Sequence, residues 1–87
     1  MDKNISVGDV WNARMDSLPE QYFVFQIVAS DTKPNQSRFY LGAKHDPDGG
    51  YSVMRGQTAW FDERGIEVDP LGDSGFCLYA KSKRKPV

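Results

Sequence analysis

Apolar and polar residues alternate along most of this chain, and residues 22–30, Tyr-Phe-Val-Phe-Gln-Ile-Val-Ala-Ser, form its longest apolar run. These are almost all strand formers. By the two-residue period Phe23, Phe25, Ile27 and Ala29 share one face and Tyr22, Val24, Gln26 and Val28 the other, which predicts a central strand with both faces at least partly covered. Residues 10–15 predict a first strand, with Trp11, Ala13 and Met15 inward and Asn12 and Arg14 outward. Residues 38–44 predict a third, with Phe39, Leu41 and Ala43 on one face and Tyr40, Gly42 and Lys44 on the other, Gly42 marking a bulge or bend.

The connections are legible from turn chemistry. Residues 6–9, 16–20 and 30–37 are rich in Ser, Asp, Asn, Gly and Pro, and His45-Asp46-Pro47-Asp48-Gly49-Gly50 is the strongest turn signal, returning into a short fourth strand at 51–54. From 55 to 69 the periodicity blurs. Residues 57–61 fit either a strand or a short helix capped by Thr58 and closed at Gly65, and an extended or single-turn reading is preferred, with a brief edge pairing at 66–68. Residues 69–75 form a turn region, and residues 76–80 are the last strand, its Phe76, Leu78 and Ala80 placed to close the sheet against the first. The predicted core is Trp11, Phe23, Phe25, Ile27, Phe39, Leu41, Phe76 and Leu78.

Five short strands without a convincing amphipathic helix predict an all-β domain, a small five-stranded antiparallel barrel over residues 1–80 with at most one short helical turn. Closure would remove edges that so small a sheet could not otherwise protect. The order Val7-Gly8-Asp9-Val10-Trp11, a strand pair, Trp60-Phe61 and a closing Gly75-Phe76-Cys77-Leu78-Tyr79 resembles small SH3-like barrel proteins, many of them short phage and bacterial proteins of unknown role. The resemblance lies in element order. It implies a binding module without chemistry of its own, such as an accessory or phage-encoded regulator or inhibitor of a larger host complex.

Length bounds the rest. A chain of 87 residues makes one domain with a modest core, and its eleven aromatics are first a packing resource. Cys77 is the single cysteine, so no internal disulfide can form. With no apolar run long enough to span a membrane, the chain is expected to be cytoplasmic. The net charge of −1 hides an asymmetry: Lys81, Lys83, Arg84 and Lys85 sit in the last seven positions, and the remainder carries seven basic against twelve acidic residues. Residues 81–87 read as a flexible, solvated basic tail, and the body favours a cationic partner over a nucleic acid backbone.

Candidate chemistry is sparse. Gly72-Asp73-Ser74-Gly75 matches the nucleophile motif of chymotrypsin-like proteases, yet the chain offers one histidine, His45, inside a turn signal, and lacks the length for two barrels. Asp46 and Asp48 begin like a calcium loop, but its twelfth position, which needs a bidentate acid, is Gln57. Cys77 has no second cysteine and no basic surroundings, so it reads as a small packing residue. Neither an enzyme, a metal site nor a cofactor is predicted. What remains is recognition. Tyr51, Arg55, Trp60, Phe61, Asp62, Glu63 and Arg64 are the expected partner-binding residues, in a locally acidic segment suited to a protein with a basic surface. The alternative is a nucleic-acid-associated barrel using Lys81, Lys83, Arg84 and Lys85 with exposed aromatics.

Overall fold

Five strands follow in chain order: β1 (Val10–Met15), β2 (Tyr22–Thr32), β3 (Arg38–Lys44), β4 (Thr58–Phe61) and β5 (Phe76–Lys81). They belong to a computed structural model that describes residues 4–34, 37–54, 56–68 and 75–87. All pairings are antiparallel, in one sheet of order β4-β3-β2-β1-β5. No helix occurs among the described residues, and none is long and apolar enough to cross a membrane. The central position of β2 follows from its composition, since a strand covered on both faces must be apolar on both.

Residues 65–68 close the sheet. On one side Val68 donates its N–H to the Trp60 carbonyl at 2.9 Å, and the Ile66 carbonyl accepts from Asp62 at 2.9 Å. On the other, Glu67 donates to Phe76 at 2.9 Å and the Gly65 carbonyl accepts from Leu78 at 2.7 Å. The short segment thereby satisfies both free edges, β4 and β5, completing a barrel. Gly65, at φ 82°, supplies the left-handed residue that turns the chain back from β4.

The interior is built from Trp11 and Ala13 of β1, Phe25 and Ile27 of β2, Tyr40 of β3, Ala59 and Phe61 of β4 and Leu78 of β5, with Ile5 plugging one end. Phe25 makes edge contacts with Phe61 at 5.2 Å and with Phe76 at 4.8 Å, the offset geometry that aromatic quadrupoles favour. Lys81 lies over the Trp11 ring at 5.9 Å.

Three sequence expectations change here. The fourth strand is β4 at Thr58–Phe61, not 51–54. Tyr51 makes a single bridge to His45, while Val53 and Met54 are exposed. Ala59 and Phe61 present alternate apolar residues that the interior can take, whereas the 51–54 segment has none that reach it. Second, β3 is turned over. Tyr40 is core and Gly42 faces the Phe25 and Phe61 rings, so Phe39 and Leu41 lie on the outer face and leave the predicted core. Third, Ala29 parts from the Phe25 face, because β2 bulges: Ile27 pairs with Gly42 and Ala29 with Leu41, leaving Val28 as the extra residue.

The last residues do not project from the barrel. Ser82 donates to the Val10 carbonyl at 2.8 Å, Arg84 Nη1 to the Asp46 carbonyl at 3.1 Å and the Val87 N–H to Gln26 Oε1 at 2.7 Å. Residues 82–87 therefore lie back over the outer faces of β1 and β2, covering Val10, Val24 and Gln26, all buried.

Candidate functional site

The alternation within β3 and β4 puts Leu41 and Trp60 directly opposite each other on the outer face, because their neighbours Tyr40, Ala59 and Phe61 point inward. Ala29 on β2 pairs with Leu41, and Val68 lies beside Trp60 on the closing segment. The result is a stripe across β2, β3, β4 and the closing segment, Ala29–Leu41–Trp60–Val68, in which Ala29, Leu41 and Trp60 are each partly buried and Val68 is 38% exposed. Phe39 extends it, with Lys33 Nζ 5.5 Å from its ring centre.

One end of the stripe is bordered by the turn 62–65. Asp62 organises it, accepting from the Arg64 N–H at 2.8 Å, the Ile66 N–H at 3.1 Å and Arg64 Nη2 at 2.8 Å. Partial burial would raise the Asp62 carboxyl, but the Ile66 N–H, the Arg64 side chain and the Arg64 N–H outweigh it and hold the group below the ordinary carboxylate value. Asp62 is thus committed to the turn. A shallow cleft of about 320 Å³ lies here, lined by Phe39 and Val68 with Arg38, Asp62, Glu63 and Arg64. Two cations face two acids.

Of the expected partner-binding residues, Trp60, Asp62, Glu63 and Arg64 come together here. Phe61 does not: it is wholly buried in the interior, as the strand alternation next to Trp60 requires. Arg55 lies outside the described residues, as do Gly72, Asp73 and Ser74. Tyr51 stands at the other end of β3, bridged to His45 and so about 13 Å from the Leu41–Trp60 pair by strand rise, and its ring stacks on His45 at 5.9 Å and 15°.

His45 anchors a second polar cluster that sequence reasoning did not assemble. Its Nε2–H donates to Gln26 Oε1 at 3.0 Å, the same oxygen that accepts from Val87. Nδ1 is buried with no hydrogen-bond partner among the described residues. The signal available was Gln26, an amide inside an otherwise apolar strand, but nothing in the spacing names its partners. The turn at 45–50 is a plain hairpin connection: the Asp46 N–H donates to the Gly50 carbonyl, the Asp46 carbonyl accepts from Gly49, and the Asp48 carboxylate accepts from the Gly50 N–H. No three His, Cys, Asp or Glu side chains gather among the described residues into a group able to hold a metal ion. Cys77 is half-buried on the outer side of β5, its thiol 3.7 Å from the Leu78 carbonyl.

Burial first, and the neighbouring Arg84 second, push the His45 pKa below its ordinary 6.5, while Asp46 opposes them. Unfolded His45 therefore takes up a proton at a pH where the folded one does not. The contribution is full above 6.5 and declines as pH falls through the lowered folded value. Melting at pH 5.5 is expected below that at 7.5, with most of the difference absent in His45→Gln, which keeps a donor for Gln26. An equal pH slope in the variant would place the titration elsewhere.

The four tail cations of the alternative reading divide. Lys81 ends β5 and approaches Asp9 at 3.8 Å, Lys83 and Arg84 border clefts on the outer face, and Lys85 is exposed beyond them. No family model matches this chain, and neither a curated protein nor a solved structure does.

Proposed function

We propose that this protein is a non-enzymatic interaction module that docks on another protein through the stripe Ala29–Leu41–Trp60–Val68. One observation carries the reading. Trp60 adjoins two residues that pack inside the barrel, yet its own large ring lies on the outer face in line with apolar side chains from β2, β3 and the closing segment. The large side chains wholly buried in the interior are Phe25, Phe61, Ile27 and Leu78, whereas Trp60 is only partly buried and lies outside that set. Contiguous apolar surface of this kind marks interaction sites on small soluble domains, and Trp is the side chain most enriched among interface anchors.

Mixed charge at the rim shapes the partner. With Arg38 and Arg64 beside Asp62 and Glu63, net attraction for a basic surface is weak, and recognition rests on apolar contact with polar pairing around it. Affinity capture with the wild type, followed by a titration of the captured protein, provides the test. Trp60→Ala is expected to weaken that complex roughly thirtyfold, the equivalent of about 2 kcal/mol, while the variant stays folded. A folded Trp60→Ala that binds at full affinity would move the interface elsewhere.

A further inference from the structure

The tail and the exposed tyrosines, far apart in sequence, meet on the outer face on the β5–β1–β2 side of the barrel. Two clefts of about 430 Å³ each adjoin there, sharing Tyr22, Val24 and Arg84. One continues past Asn12 to Tyr79, Lys81 and Lys83, the other past Lys44 to His45 and Pro47. Together they form a groove crossing β5, β1 and β2 to the end of β3.

Its lining is cationic although the body is acidic. Lys44, Lys81, Lys83 and Arg84 line it against Asp46 alone. Among the described residues only Lys81 of these four has a carboxylate partner, at a long 3.8 Å, and Arg84 spends one nitrogen on a carbonyl. Apart from Asp46 and Asp9, no acid among the described residues lines either cleft or pairs with these cations, and salt screens charge beyond roughly 8 to 10 Å.

The groove is also aromatic. Tyr22 is 69% exposed at the start of the most apolar strand. Tyr79 is 42% exposed, and β5 bulges there: Asn12 pairs with Ala80 and Ala13 with Leu78, leaving Tyr79 as the extra residue. Bulges re-aim side chains, and Arg14, opposite Tyr22 on β1, sets its guanidinium 5.9 Å from the Tyr79 ring centre. Exposed rings along a track where cations outnumber acids are what a single nucleic acid strand requires: charge for its backbone and π-faces for unstacked bases. A duplex keeps its bases stacked and would leave both tyrosines idle.

We infer that this groove binds single-stranded nucleic acid, with Tyr22 and Tyr79 as stacking platforms and Lys44, Lys81, Lys83 and Arg84 as phosphate contacts. It is separate from the Trp60 stripe, which lies on β3, β4, the closing segment and, at Ala29, the far end of β2 from Tyr22 and Val24.

The test is fluorescence anisotropy of a labelled 15-residue oligothymidylate, read against a 15-base-pair duplex and against vesicles containing phosphatidylserine. Binding is expected for the single strand, with log K falling against log salt at a slope of about −3 for four contacts, since each contributes about −0.7. Lys83→Gln should flatten that slope by about 0.7. Tyr22→Ala, at an exposed position that leaves the melting temperature in place, should weaken binding roughly tenfold. Absence of oligothymidylate binding at 50 mM salt would overturn the inference. So would equal affinity for the duplex or the vesicles, or an undiminished affinity in folded Tyr22→Ala and Tyr79→Ala variants, because each would mean that the rings take no part.

Discussion

Phe61→Ala is expected to lower the unfolding free energy by about 3 to 5 kcal/mol, the range for truncating a buried phenylalanine. Phe61 is completely buried, meets Phe25 edge-on at 5.2 Å and packs over Gly42. Its removal opens a cavity at the centre of a barrel with few other large side chains to collapse into it. A small domain holds only about 5 to 15 kcal/mol in total, so much of the population should unfold near body temperature. Trp60→Ala, one residue away on the outer face, should cost about 1 kcal/mol, the scale of a cross-strand pair. Urea denaturation of the two variants measures the contrast. Equal midpoints would mean that the alternation of β4 is misplaced.

Gly42→Val should destabilise by about 1 to 3 kcal/mol, the usual cost of overpacking. A Cβ built at Gly42 stands 2.9 Å from Phe61 Cε2 and 3.3 Å from both Cβ and Cδ1 of Phe25. Gly42 lies between two strands and pairs with Ile27 on one side and Ala59 on the other, so its backbone cannot retreat without breaking ladder bonds. Gly42→Ala should show a smaller loss of the same sign. The double variant Gly42→Ala with Phe61→Leu should recover part of it, because the clash is with the far edge of the ring. Thermal melts of the three proteins decide this, and an unshifted Gly42→Val would show that the inner face of β3 is not packed against these rings.

Gly42 also explains why the sequence misleads on β3. Phe39 and Leu41 are larger than Gly42 and more apolar than Tyr40, so hydrophobicity alone selects the wrong face. The interior opposite β3 is occupied by Phe25 and Phe61, and only a strand presenting a residue without a side chain can approach them. The surplus apolar residues then lie outside, where Leu41 meets Trp60. The overturned strand and the candidate binding stripe have the same cause. Ile5 is a core residue outside the predicted set: polar neighbours flank it in the sequence, yet it is buried.

Some of the candidate site was visible in advance. Large side chains in a segment of unclear period suggest a role other than core packing, and of the residues so selected Asp62, Glu63 and Arg64 line one cleft with Val68, the neighbour of Trp60. Proximity in sequence groups Phe61 with them, but in a strand neighbouring residues face opposite ways. Tyr22 and Tyr79 were placed in strands with no role assigned, since exposure at the start of one strand and at a bulge in another has no signature in composition.

By itself the sequence determined four of the five strands. Val10–Met15 and Arg38–Lys44 are strands over the bounds their alternation predicts, and β2 and β5 run slightly beyond theirs, to Thr32 and Lys81. Alternation and strand-forming side chains are local properties, readable within a few residues. Tertiary structure alone decided which face of β3 is inside, that β4 rather than 51–54 completes the pairing, that 65–68 closes the barrel, and that the tail reaches Gln26 from 61 residues away. The period of two is symmetric between faces. Only the volume left by side chains from distant strands, and the backbone groups those strands leave unpaired, can break that symmetry.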